Sequence, residues 1–243
     1  MRSEILKFFS EKIDSIEGCD GGGLQFSLPP FDLKPKDFLS FSELDLNSEN
    51  TQHSLVNATS NLKRAMDCEL DTLMFVLGLD DFYRKKRLGI EKKLGFLRRS
   101  EIFKATSLDR LNKLRNRLEH HYEIPNLEDV EVYYDLVTAF ISIGDSFLYK
   151  LRSVSVVSLS YIDSNFKTAA GSSICLQSPK VELDLFNEGN KKRSSFCIEP
   201  NKKATVESLN NFAYLLKVNL LMGDFYYGSI SKDEFISSLE SEI

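Results

Sequence analysis

Residues 55–77 read LVNATSNLKRAMDCELDTLMFVL. Leu55, Ala58, Leu62, Ala65, Met66, Leu70, Leu73 and Leu77 recur at three- and four-residue steps, which places them along one side of an α-helix. A stripe this long must be covered by other elements, because water-exposed leucines forgo about 1.5–3 kcal/mol each. Gly78 closes the pattern. The stretch therefore predicts a long helix at the centre of a mainly α fold.

Downstream the same period continues. A second helix is expected over Phe82 to Leu97. A third begins after Ser107, a good N-cap, runs through Leu111, Leu114 and Leu118, and stops before Pro125. Asn126 then caps a fourth helix. Its first turn holds Glu128 and Asp129, as the helix dipole favours, and its stripe is Val130, Tyr133, Val137, Phe140, Ile141, Phe147 and Leu151. Four helices with short connections predict an antiparallel bundle over residues 50–152.

Residues 1–49 precede it. Ile5, Phe8, Phe9, Ile13 and Ile16 suggest an amphipathic helix over 2–17, ended by Gly21-Gly22-Gly23. No Lys-Ser or Lys-Thr follows those glycines, so they read as a linker and not as a phosphate-binding loop. Residues 24–50, with Pro29, Pro30 and Pro35, are expected to be irregular or briefly extended. After Leu151 the period shortens: Val154 to Tyr161, Ile174 and Leu176, Val181 to Leu185, and Phe196 with Ile198 look like short strands. Helices over about 204–222 and Ser231 to Ser241 follow, the last opened by Ser231 and Glu234 in capping-box spacing. Residues 153–243 are thus expected to form a smaller C-terminal α+β extension. No internal repeat is visible.

The chain has 243 residues, a formal net charge of −5 and 42% hydrophobic residues. No stretch approaches the roughly 18 uncharged apolar residues of a membrane span, and Glu4 and Lys7 interrupt the place of a secretory apolar region. Cys19, Cys68, Cys175 and Cys197 form no Cys-x-x-Cys pair, which argues against structural zinc and against a disulfide framework. A cytoplasmic protein with reduced thiols, no membrane partner and no metal or other cofactor is expected. On that reading the Asn57-Ala58-Thr59 sequon, which lies inside a helical pattern, carries no meaning.

The distribution of charge says more than its total. Between Arg84 and Arg117 there are 13 Lys or Arg against three acids, Glu91, Glu101 and Asp109. With a Debye length of about 8 Å at physiological salt, such a stretch attracts phosphate backbones locally even in an acidic chain. A solvated helical hairpin is the simpler explanation of the same charges.

Residues 111–122, LNKLRNRLEHHY, add chemistry to that stretch. If Leu111, Leu114 and Leu118 face a core, His120 points roughly opposite, with Asn116 one turn before it. Arg115 on the flank is long enough to reach a phosphate held near His120. A titratable base, a permanent cation and an amide thus converge at the end of the most basic helix.

Arg115-Asn116-x-x-x-His120 resembles the Arg-x4-6-His motif of HEPN domains, including the polar residue after the arginine. The surrounding Leu111–His120 run, the Pro125 before the next long helix and Ala65-Met-Asp-Cys-Glu-Leu-Asp in the first bundle helix resemble HEPN sequences too. The likeness covers about residues 50–152. It implies a metal-independent endoribonuclease, frequently a toxin or phage-defence effector, working as a homodimer whose two motifs line one cleft. It carries over Arg115 and His120 as catalytic residues and Asn116 as a supporting one. His121 and Tyr122 extend the match to a form found in toxins paired with a nucleotidyltransferase antitoxin, in which the tyrosine can be adenylylated. An antitoxin or regulatory protein is then a further partner.

These residue types suit RNA cleavage. RNA brings its own nucleophile, the 2′-hydroxyl, so the protein needs an acid–base group of near-neutral pKa and positive charge for the phosphorane oxygens. Lys113, Arg117, Arg110, Arg98 and Arg99 are the expected RNA-binding residues. The rival reading is a non-catalytic dimerisation, nucleotide-binding or regulatory module in which Arg115 pairs with Glu119. A metal site built from His120, His121 and Glu123 is disfavoured, since adjacent helical residues point about 100° apart. No Gly-Ser followed by paired aspartates supports a nucleotidyltransferase.

Overall fold

The computed structural model describes residues 1–49, 51–103, 110, 112–114, 116–117, 126–162, 167–176, 179–186, 193–198 and 205–241. In chain order the elements are α1 (Arg2–Lys12), β1 (Ile16–Gly22), α2 (Pro35–Leu46), α3 (Gln52–Val76), α4 (Asp80–Lys85), α5 (Ile90–Arg99), α6 (Leu127–Ser153), β2 (Val156–Tyr161), β3 (Thr168–Cys175), β4 (Lys180–Phe186), β5 (Arg193–Ile198), α7 (Val206–Tyr226) and α8 (Lys232–Glu240). The fold is mainly α with one five-stranded antiparallel sheet. The chain divides into two compact units, Ser27–Leu148 and Met1–Phe26 with Tyr149–Ile243.

The helical unit is organised around α3. The Thr51 hydroxyl accepts from the Ser54 amide at 3.2 Å and starts the helix. Leu62, Ala65, Met66, Leu73 and Leu77 on the expected stripe are fully buried. Gly78, at φ 68°, ends it in a left-handed turn that lets the Leu79 amide donate to the Met74 carbonyl at 2.8 Å. α6 starts as its sequence predicts: Asn126 Oδ1 accepts from the Asp129 amide at 2.8 Å. Val130, Tyr133, Val137, Phe140, Ile141, Phe147 and Leu151 are all buried. The Tyr133 hydroxyl meets Met66 Sδ at 4.0 Å, and Phe103 stacks on Phe140 with centroids 4.5 Å apart.

Two expectations fail within this unit. Residues 24–50 are not all irregular, because Pro35 stands at the first turn of α2, where its missing N–H costs nothing and its fixed φ favours a helix. Asp37 accepts from the Lys34 amide at 2.7 Å, and α2 returns along α3 with the Ser42 hydroxyl donating to the Ala58 carbonyl at 3.2 Å. The expected helix over 82–97 is broken into α4 and α5. Arg87 turns left-handed at φ 51°, and Gly89 caps α5.

The second unit is a sheet in the order β1-β2-β3-β4-β5, every neighbour antiparallel, with α7 packed on it. Residues 212–220 of α7 are buried on all sides. Asn219 ties the helix to the sheet, its amide donating to the Ser155 carbonyl at 3.1 Å and to Ser172 Oγ at 3.0 Å. α1 and α8 meet through Phe9 and Phe235, centroids 4.8 Å apart. The Ser231–Glu234 capping box forms as expected.

This pairing corrects the N-terminal expectations. The first helix ends at Lys12, and Gly21 and Gly22 are strand residues opposite Val157 and Val156 rather than a linker. Because β1 pairs with β2, residues 1–26 join the C-terminal unit, so divisions after 49 and 152 do not describe the compact bodies. Glycine is needed at 18, where a β-carbon would lie 2.8 Å from the Tyr226 ring. Among the described residues no helix is long and apolar enough to cross a membrane. The four cysteines are free.

Candidate functional site

The histidine motif is only partly in view. Arg115, His120, His121 and Tyr122 lie outside the described residues. Residues 110, 112–114, 116 and 117 are helical, in accord with the expected third helix. Asn116 and Leu114 are half-buried, while Arg110, Lys113 and Arg117 are exposed. Asn112 donates its amide to Glu91 Oε1 at 2.7 Å, which fastens this segment to α5. Arg117 pairs with Asp129 in the first turn of α6. On α5 itself Arg99 is exposed and Arg98 half-buried. Hence the helix carrying Asn116 is tied to α5 through Glu91 and to α6 through Asp129.

Beside α4 and α5 the surface is concave. A cavity of about 420 Å³ is lined by Phe31, Phe75 and Tyr83 together with three cations, Arg84, Arg87 and Lys93, and two acids, Asp71 and Asp80, among others. Arg84 is shared with Asp81, and Lys93 with Asp71. Arg87 is exposed, and its left-handed backbone, sterically disfavoured for any residue with a β-carbon, sets it at the rim of the cavity. The Tyr83 hydroxyl donates to the Lys92 carbonyl at 3.2 Å, and burial pushes its pKa well above the usual tyrosine range. That tyrosine is a wall and not an acid. Aromatic faces beside cations are what a nucleotide chain uses, bases stacking while phosphates meet positive charge.

A second polar group lies deeper. Glu69 falls within the α3 stripe, four residues after Ala65 and four before Leu73, and is 2% exposed. Burial pushes its pKa up to about 8, Asp145 adds to the rise, and Lys36 opposes it. Its carboxyl fits because α6 has a glycine, Gly144, where it passes. Lys36 Nζ sits 2.6 Å from Asp145 Oδ2, and the pairing raises the lysine's pKa. Next to Glu69, Cys68 is pushed up to about 11, mainly by burial, so it is no reactive thiolate.

Reading the sequence for stripes passes over Glu69, although its position inside the stripe was the available signal. The basic-aromatic cavity had only half a signal: the charges are visible in sequence, but Phe31 and Phe75 come from distant segments. Among the described residues no group of three His, Cys, Asp or Glu side chains is placed to share a metal ion. No family model, no curated protein and no solved structure matches this chain.

Proposed function

We propose that the chain is a metal-independent endoribonuclease of the HEPN type, a toxin or antiviral defence effector that acts as a cytoplasmic homodimer. The HEPN-like antiparallel bundle belongs to this proposal, as do the catalytic roles. His120 takes the proton of the 2′-hydroxyl as that oxygen attacks the adjacent phosphorus. Arg115 neutralises the phosphorane oxygens, and Asn116 orients the imidazole. The P–O5′ bond breaks, and the leaving oxygen is protonated by the partner's acid–base group in the composite cleft. The products are a 2′,3′-cyclic phosphate and a free 5′-hydroxyl.

The observation that supports this reading best is the basic and aromatic cavity beside α4 and α5, adjoining in sequence the helix that carries the motif. It offers single-stranded RNA stacking surfaces and phosphate contacts. The alternative, a non-catalytic interaction module, draws on Glu91 and Asp129, which engage the motif helix as a structural element would require.

Cleavage of total cellular RNA in EDTA by the wild-type protein, beside folded Arg115→Ala and His120→Ala variants, separates the two. A discrete wild-type pattern lost in both variants supports the enzyme. Equal patterns in all three, or cleavage that requires added metal, refute it.

A further inference from the structure

We infer that the cavity beside Glu69 is a binding site for a small organic cation, a primary ammonium carried on a compact apolar body. The cavity holds about 270 Å³, and its walls include Leu28, Phe31, Ile141 and Leu148. Glu69 lines it from α3, and Oε1 of this 2% exposed residue has no hydrogen-bond partner among the described residues. Buried polar atoms are seldom left so, and an orphaned acceptor marks a place where a donor is missing.

The neighbouring groups do not supply that donor. Thr72 gives its hydroxyl proton to the Cys68 carbonyl at 2.8 Å. Lys36, itself largely solvent-exposed, is engaged with Asp145 at 2.6 Å. The charged groups facing the cavity are Lys34, Lys36 and Asp37 from α2 and its approach, Glu69 from α3 and Asp145 from α6. With Glu69 ionised, three acids stand against two lysines, which leaves room for one more positive charge. Apolar walls with one deep carboxylate do not suit a divalent metal, which demands several oxygen ligands. They suit an ammonium whose N–H reaches the Glu69 carboxylate while its hydrocarbon covers the walls.

Binding such a cation favours ionised Glu69 and therefore expels its proton. Affinity must rise with pH through the range in which the glutamate titrates. The inference does not depend on RNA cleavage, and its test leaves the histidine motif untouched.

Calorimetric titration of the full chain with benzylamine, at pH 6.5 and pH 8.5 and in buffers of different ionisation heat, decides it. Benzyl alcohol and a Glu69→Gln variant are the controls. The expected result is saturable one-to-one binding, about tenfold or more tighter at the higher pH, with proton release and at least a tenfold loss in the variant. Benzyl alcohol should not bind. Absence of benzylamine binding at both pH values would mean that the cavity holds water, and would overturn the inference. Equal affinity for the alcohol, or for the variant, would overturn it as well. Should the variant fail to fold by circular dichroism, the pH dependence and the alcohol comparison on the wild type still decide.

Discussion

The carboxyl group of Glu69 occupies the space that Gly144 leaves empty, so that a β-carbon at 144 would overlap Oε1. One residue on α3 and one on α6 thereby specify each other: the long acid needs the glycine, and the glycine has a packing reason to interrupt a 27-residue helix. A helix-interior glycine otherwise costs about 1 kcal/mol relative to alanine.

Gly144→Ala should therefore destabilise the protein, despite alanine's better helix propensity, by about 1–3 kcal/mol of overpacking. Urea unfolding of the single variant and of Gly144→Ala in a Glu69→Ala background measures the coupling. The alanine should become neutral or stabilising once the carboxyl is gone. A cost that is the same in both backgrounds would show that the two residues do not share the space.

The raised pKa of Glu69 sets a pH dependence. In the unfolded chain the group titrates near 4.5, and in the folded protein burial moves it to about 8. Between these values the native state holds the proton more tightly, so the group's contribution to stability declines as pH rises from about 4.5 to 8 and then levels off. Glu69→Gln does not titrate. The difference in urea midpoint, wild type minus variant, should fall steadily between pH 5.5 and 8.5, and a flat difference would contradict the burial assigned to this carboxyl.

Arg87 pays a backbone penalty at φ 51° that glycine would avoid. Arg87→Gly should raise stability by roughly 0.5–1 kcal/mol in denaturant unfolding. The same change should weaken binding of single-stranded RNA in fluorescence anisotropy and make the salt dependence shallower, because a phosphate contact is lost. Stability gained with RNA affinity unchanged would remove Arg87 from the RNA surface.

In the sheet unit, Asn219 is fully buried and holds both a backbone carbonyl and the Ser172 hydroxyl, which itself donates to the Glu182 carbonyl at 3.0 Å. Asn219→Ala strips donors from buried acceptors and leaves a cavity, so a loss of about 2–4 kcal/mol is expected in thermal or urea unfolding. A loss under 1 kcal/mol would mean that solvent reaches these groups.

What the sequence by itself determined is the set of long helices and their inward faces. α3 and α6 carry a repeated apolar stripe over 25 and 27 residues, too much buried area for any competing local preference to override. Caps at Thr51, Asn126 and Ser231 act within four residues, so their partners are written beside them in the chain.

What only the tertiary structure decided depends on residues far apart. β1, IEGCDGG, has no alternation of its own; it is a strand because Ile16 meets Tyr161 and because glycine lets Tyr226 approach. The 420 Å³ cavity needs Phe31 brought to α4, and Glu69 becomes a buried acid only where Gly144 passes it. Local patterns report the period of burial along one element. They are silent on which element arrives from elsewhere, and it is that arrival that turns an ordinary glutamate in a helix into an unmet carboxylate inside a cavity.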